Sequence, residues 1–536
     1  MKFSRRLVFV VAAVVATSAF AALGADPPDW EALGKRWWGH VQFLADDALE
    51  GRDVGSQGFA KAADYVTVQF KSVGLEPAGA NGYAQPVGFN VSKVDEDASS
   101  LELVQGPSAE NVEFGEEGFF VPHSDGSTQF EAPAVFVGYG LKVPELKYDD
   151  FAGQRLSGKI AVYISGGPAS MPTAIKAHAQ SHDERVKALR YAGAIGTIVI
   201  PNPRVAEVPW SRTAGARLQP KMELADKATA GEASLSMGVV FNPEHAEKLF
   251  TGSGHTFKEV LDLLNEDRPA PHFTLAVRVR AKIAVRSWQV RSKNLAGVMK
   301  GSDPTLSRQY VVVSAHLDHV GIGEPVNGDK IYNGAMDDAS GIASLIEIAR
   351  GLKDSGAKPK RSILFLAVTG EEKGLLGSQY FAGHPTVEAK SIVADLNMDM
   401  FLPLFPLKYL EVQGLGESTL GDDVKVVAEE AGVQVQADKQ PDHVRFIRSD
   451  QYSFIKKGVP ALTFKFGWLP GTTEEKLFND WYKERYHGPG DDVNQPVNLA
   501  GAAQFNAILG NLALRVADAG ERPTWKKDSF FARYAQ

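Results

Sequence analysis

The sequence predicts an α/β protein. A sheet with helices on both faces fills the second half of the chain, and a separate block of short strands and turns precedes it. Three observations carry this reading. Residues 310–315 and 363–368 are near-continuous apolar runs, as strands covered on both faces should be. Polar residues and then a helical pattern follow, with Ile342, Leu345, Ile346 and Ala349 marking one helical face after Ser340-Gly341. From Asn294 onward strands and helices alternate, the pattern of a sheet packed between helical layers.

The elements follow in chain order. Lys2, Arg5 and Arg6 precede an apolar run over 7–22, and Ala19-Phe20-Ala21 fits a small-x-small cleavage site, with Ala25 as a second candidate. Residues 1–25 therefore read as an export signal. The run is shorter than the roughly 20 residues a spanning helix needs, which favours cleavage over an uncleaved anchor. Ser4-Arg5-Arg6 leaves a twin-arginine route open. The expected product is exported, periplasmic or secreted, with no stable membrane anchor after cleavage. Residues 26–88 hold two helices, Trp30 to Leu44 and 59–73, joined through a Gly-rich turn at 50–55. From about 85 short strands take over. Residues 135–140, 158–164 and 197–200 read as strands and 183–192 as a helix. This mainly-β block is placed at 89–285, the catalytic part at 286–518 and a tail at 519–536. In the tail, Trp525, Phe530, Phe531 and Tyr534 can pack onto the body or onto a partner subunit.

Composition narrows the function. The chain of 536 residues is 44% apolar and 23% charged, which excludes disorder for the bulk. It has no cysteine, which excludes a disulfide framework, a thiol nucleophile and thiolate zinc sites. A net charge of −8 argues against a nucleic-acid partner. There is no Gly-x-Ser-x-Gly elbow, no phosphate loop and no His-Glu-x-x-His helix.

Ligands of an α/β sheet bind beyond the carboxyl ends of its strands. There this chain carries His316-Leu317-Asp318-His319, then Asp337-Asp338, then Glu371-Glu372, then Asp399, and in a distant loop Tyr486-His487. Each alone reads equally as a loop histidine or an acidic helix start. Together they place several carboxylates at one sheet edge, where a bound divalent cation pair is the simplest neutraliser. Nitrogen and oxygen ligands without sulfur suit Zn²⁺, and Mn²⁺ or Co²⁺ fit the same donors.

These motifs resemble the di-zinc metallopeptidase family that includes leucyl aminopeptidases, glutamate carboxypeptidases and the transferrin-receptor ectodomain. The likeness runs over nearly the whole mature chain. It takes in Leu44-Ala45-Asp46, Gly51-Arg52 and Gly74-Leu75-Glu76-Pro77 in the N-terminal part. In the middle block, Gly138-Tyr139-Gly140, Tyr148-Asp149-Asp150, Gly158-Lys159-Ile160 and 192–196 look like an inserted protease-associated domain. The resemblance implies a mixed-sheet α/β/α zinc exopeptidase domain holding two Zn²⁺. His316, Asp337, Glu372, Asp399 and His487 match the metal ligands, with Asp337 bridging and a cis peptide after it. Glu371 matches the general base for attack by a metal-activated water, Asp318 a carboxylate that holds the His316 ring, and Tyr486 a donor to the developing oxyanion. Peptides are the implied substrates, with the N-terminal bond the first expectation. A carboxypeptidase or dipeptidase, or a receptor-like protein without turnover, are the alternatives.

Other candidates have plainer readings beside the functional one. Arg445 and Arg448 read as an anchor for a substrate carboxylate or as ion pairs with Asp442 or Asp450. His319 is expected to support a ligand rather than to be one. His178 and His182 are expected at the surface, and Asp149-Asp150 in a turn rather than a Ca²⁺ loop.

Overall fold

The computed structural model describes residues 28–121, 128–226, 228 and 235–535, so the expected export signal lies outside the described residues. Among the described residues no helix is long and apolar enough to cross a membrane. The main sheet has ten strands. Its four middle strands, Ser362–Val368, Tyr310–His316, Ile392–Asn397 and Ala461–Gly467, lie side by side in that order and run parallel. Antiparallel neighbours flank them, Val285–Met299 on one side and Tyr409–Gln413 on the other. Every residue of Ser362–Val368 is buried, which is why residues 363–368 read as an unbroken apolar run; Ala461–Gly467 is equally buried but carries Thr463 and Lys465 on one face.

Helices cover both faces. Trp30–Leu44, Ser340–Asp354 and Leu499–Asp518 pack together on one face. On the other, Phe381 of Leu376–Gly383 and Phe454 of Gln451–Ile455 pack with Val312, Leu364 and Leu366. Local chemistry starts the helices where the chain demands it. Asp29 accepts from the Ala32 amide at 2.9 Å, and Asn498 accepts from the Gly501 amide at 2.7 Å. Trp37 sits fully buried where the three helices meet. Its indole N–H is shared between Ser340 O at 3.1 Å and Ser344 Oγ at 3.0 Å, and its ring lies against Phe401.

The middle block forms a second sheet of eight strands with its own core, including Phe136, Ile160, Val162, Ile198, Val239, Phe241 and Leu275. The stretch expected as a strand at 135–140 stops at Phe136. Gly138 and Gly140 have φ of +59° and +65°, and the Gly140 amide returns to Val137 O at 2.8 Å, so the chain turns there. Two long strands lead into and out of the block. Ala84–Val94 and Val285–Met299 pair antiparallel from Ala84↔Leu295 to Val94↔Val285. Position 88–89 therefore lies in mid-strand. The block also sends Lys221–Leu224 back to the edge of the main sheet, where it pairs with Ala84–Val94.

The tail packs onto the body of the same chain. Phe531 is buried with Ala177, Ile447, Tyr452 and Ile455, and the Trp525 indole donates to Gly458 O at 2.9 Å. His178 is not a surface residue as expected. It bonds the Tyr452 hydroxyl at 2.7 Å and stacks beside Phe530, joining the middle block to the catalytic part and the tail.

Trp37→Ala empties a site shared by three helices and strips the Ser340 carbonyl of a partner. Its expected cost is about 3–5 kcal/mol, read as a lowered urea midpoint at unchanged slope.

Candidate metal centre

Strand register brings the predicted residues together. His316 pairs with Val368 across the ladder, so the Thr369-Gly370-Glu371-Glu372 turn begins at its level. Ser314 pairs with Asn397, which puts Asp399 level with His316 on the other side. Asp337 enters from the turn before Ser340–Asp354, and its peptide bond to Asp338 is cis. His487 comes last, from the loop after Thr473–Glu484, with φ +49°.

The five expected ligands converge. Asp337 stands at the middle. Its Oδ1 lies 3.1 Å from His316 Nε2, and its Oδ2 lies 3.2 Å from His487 Nε2. His316 Nε2 is 3.8 Å from Asp399 Oδ1, and His487 Nε2 is 3.0 Å from Glu372 Oε2. The adjacent glutamates part company. Glu371 groups with His316 and Asp399, while Glu372 groups with Asp337 and His319. Asp337 links the two groups, with one oxygen toward His316 of the first and the other toward His487 beside the second.

Unpaired atoms test whether this set suits a cation. Buried His316 Nε2, His319 Nδ1, Glu372 Oε1 and Asp399 Oδ1 make no hydrogen bond. His319 Nδ1 and Glu372 Oε1 are only 2.7 Å apart yet lack hydrogen-bond alignment. Buried polar atoms are almost always paired, and imidazole nitrogens and carboxylate oxygens left facing a common space are zinc donors. The residues present fit the metal.

The surrounding residues hold this geometry, and sequence reading missed several of them. Arg52 is fully buried behind the ligand loops. Its guanidinium donates to Leu317 O at 2.9 Å, Leu44 O at 2.5 Å, Asn333 O at 2.6 Å and Gly334 O at 3.0 Å. Burial lowers its pKa to about 10, with Asp491, Asp318, Asp337 and Asp338 pulling the other way. The Asp338 carboxylate takes the amides of Gly341 at 3.0 Å and of His316 and Met400 at 3.3 Å, tying three loops together. Asp491 takes the amides of Met336 at 2.9 Å and Asp337 at 3.0 Å. A Gly-rich turn flagged the neighbourhood of Arg52, and acidic pairs flagged Asp338 and Asp491, but nothing local tells a pinning residue from a solvated one.

Asp318 does not act as expected. The His316 Nδ1 partner is the main-chain carbonyl of Asp318, at 3.0 Å. The carboxylate instead accepts the amides of Glu371 at 3.2 Å and Glu372 at 3.3 Å, and burial lifts its pKa to about 6. Its side chain orients the glutamate turn, because residues two apart across a strand end cannot both reach the ring and the amides. Burial, outweighing the pull of His316, pushes the Glu371 carboxyl well above its usual range. For His487, burial is overcome by the Glu372 and Asp337 carboxylates, and its pKa rises to about 10. The Tyr486 ring stacks on His487 at 4.0 Å. His319 lies among donors of the second set, a place sequence reading did not give it.

The middle block reaches the centre. Arg212 donates to the carbonyls of Lys483 at 3.2 Å, Glu484 at 3.1 Å and Tyr486 at 2.9 Å, bracing the loop that bears His487. Arg445 and Arg448 do not pair with Asp442 or Asp450. Both engage Glu207, at 2.5 Å and 2.6 Å, and these cations hold its pKa at about 2 against the opposing effect of burial. His182 is exposed and lines the cleft between the two units. Asp150 caps a turn at the Leu141 amide and Asp149 pairs with Lys142, which is the turn reading.

Arg52→Met leaves four buried carbonyls unpaired. The expected loss is at least about 3 kcal/mol, measured by denaturant unfolding, with partial recovery in Arg52→Lys. Arg212→Leu frees the Tyr486-His487 loop. Its expected effect is weaker zinc retention on dialysis against a chelator, with little change in unfolding midpoint of the metal-free chain.

Residues 294–513 match the sequence model of Peptidase family M28. A probable leucine aminopeptidase 2 of Aspergillus oryzae is 29% identical over 37% of this chain and 40% of its own. Carboxypeptidase Q of Bos taurus is 28% identical over 43% of each. The chain thus spans less than half the length of these curated relatives. The fold is that of a solved aminopeptidase from Aneurinibacillus sp. strain AM-1, with a TM-score of 0.55 at 20% identity, over 92% of this chain and 97% of that one. Both donor sets lie inside the segment that is similar to peptidase family M28.

Proposed function

We propose that this protein is an exported, zinc-dependent aminopeptidase that holds two zinc ions. The observation that carries the reading is Asp337, whose two oxygens each face one histidine of a separate donor set. His316, Asp337 and Asp399 would hold one ion, and Asp337, Glu372 and His487 the other. Bound zinc supplies Lewis-acid polarisation of the scissile carbonyl and lowers the pKa of water. Glu371, on the His316 side and raised in pKa by burial, takes the proton of the attacking water and passes it to the leaving amine. Tyr486 donates its hydroxyl proton as a hydrogen bond to the developing oxyanion. The middle block acts as a protease-associated domain that walls the cleft and limits substrate size.

A carboxypeptidase or dipeptidase needs a free cation for the substrate carboxylate. Arg445 and Arg448 line the recess at the centre, but Glu207 already holds both, which removes them from that role and leaves Lys465 as the recess's remaining cation.

Metal analysis combined with matched substrates tests the reading. Two zinc ions per chain are expected, with hydrolysis of free-amino aminoacyl anilides, none of N-blocked dipeptides, and loss of activity in a chelator. Hydrolysis of N-blocked dipeptides alone would replace this reading with the carboxypeptidase one. Glu371→Gln is expected to keep both metals and the fold while losing about 10²–10⁴-fold in kcat. Turnover near wild type in that metal-loaded variant would remove Glu371 from the base role. Export predicts a mature N-terminus after the Ala19-to-Ala25 region on protein recovered from outside the cytoplasm.

A further inference from the structure

Two spaces open on the candidate centre, and they differ in kind. One is a cleft of about 1360 Å³ between the middle block and the peptidase domain, reached by Glu371, Glu372 and His487. The other is a recess of about 40 Å³ that adjoins the cleft at Glu371, Arg448, Tyr486 and His487 and is also lined by Asp337 and Asp399. An exopeptidase that releases one residue at a time has use for such a pair: the cleft suits the departing peptide and the recess the single residue cut from it.

The walls of that recess are polar. Beyond the metal-facing carboxylates it is lined by Gln413, Thr463, Lys465, Ser449 and Tyr482, with Met400 as an aliphatic contact. Lys465 and Thr463 alternate on one face of Ala461–Gly467, and Gln413 pairs with Thr463 across the neighbouring strand. Lys465 is 4% exposed, and its Nζ donates to the Asp399 carbonyl at 2.6 Å. Among the described residues no carboxylate forms an ion pair with that nitrogen, although its charge acts on the Asp399 and Asp438 carboxylates. Glu411 stands opposite Lys465 in the ladder, but its oxygens take Gln413 Nε2 at 3.3 Å and the Lys439 amide at 3.2 Å. Asp438 takes the Gln440 amide at 2.8 Å. Arg445 and Arg448 are satisfied by Glu207. A buried ammonium with three donors and one acceptor is short of partners. Gln413 Oε1, also buried, has none.

We propose that this recess receives the side chain of the residue being released and selects an acidic one, aspartate above all, through Lys465. The proposal rests on the aminopeptidase reading and adds the substrate class to it. Size sets the upper limit, since about 40 Å³ holds roughly three waters. That admits the part of aspartate or leucine beyond Cβ and excludes an aromatic ring. Aspartate and leucine are near-isosteric, so the charge of Lys465 decides between them. A pocket built to pair a polar group rejects an apolar isostere strongly, because its own polar atoms are then left unpaired.

The test compares aspartyl and leucyl p-nitroanilides on the zinc-loaded enzyme, together with calorimetric binding of free L-aspartate and L-leucine. The expected kcat/KM ratio favours aspartyl by at least about tenfold, with tighter binding of L-aspartate. Lys465→Met is expected to reverse the order of both. A wild-type enzyme that prefers leucyl substrates and L-leucine overturns the proposal, as does an unchanged ratio in folded Lys465→Met. If neither anilide is cleaved, the aminopeptidase reading falls, and preferential binding of L-aspartate over L-leucine still decides the recess.

Discussion

Like charge held out of water is the constraint to which the rest of this structure answers. Asp337, Asp338, Asp399, Asp318 and Asp491 are all buried near the carboxyl end of the four parallel strands. Carboxylates crowded in a medium of low dielectric repel strongly unless cations or N–H groups face them. The chain divides the work. Asp338, Asp318 and Asp491 take backbone amides and so become struts between loops. Asp337, Asp399 and Glu372 keep oxygens turned toward imidazoles. Arg52 places one fixed cation behind them without offering it to the cleft, because its N–H groups are spent on four carbonyls. Rigid donors around an acidic void are the form expected of a site preorganised for divalent metal.

That centre is built from two units of sequence rather than one. Residues 316–487 supply every donor, from strand ends and from loops beside helices, but the middle block supplies the brace. Arg212 fixes the loop of His487, a ligand in a backbone region that a histidine adopts only when its surroundings hold it there. Glu207 comes from the same block and binds Arg445 and Arg448 beside the recess. The connection between units is also stiff, because Ala84–Val94 and Val285–Met299 run as one continuous ladder from sheet to block. A hinge would need a break in that pairing.

Much of this was legible in the chain, for reasons that differ by element. The strands at 310–315 and 363–368 showed because both their faces are covered, which leaves almost no polar residue to break the apolar run, whereas Thr463 and Lys465 hide the equally buried Ala461–Gly467. The ligand set showed because an α/β sheet puts its chemistry just after such runs, and His316, Asp337, Glu371-Glu372 and Asp399 stand there in order. The cis bond at Asp337–Asp338 was implied by resemblance and is present. The partners of these residues were not legible, because each comes from far along the chain. Glu207 is 238 residues from Arg445, and Arg52 is 265 residues from Leu317. Asp318 shows the finer limit. Its position was read correctly but its role was not, since carbonyl and carboxylate of one residue compete for the same histidine and only geometry decides which wins.

The division between Glu371 and Glu372 follows from the same geometry. Neighbouring residues in a tight turn point apart, so one strand end can serve two purposes. Glu372 falls in with His487 and His319, whose positive charge holds it ionised despite burial. Glu371 has His316 beside it, but burial dominates, with the Asp399 and Glu372 carboxylates adding to it, and its affinity for a proton rises. A ligand must stay deprotonated, whereas a base must be able to accept and release a proton during each turnover. Two identical side chains one residue apart thus meet unlike surroundings, because the Asp318 carboxylate pins both their amides and the turn sends their carboxyls apart.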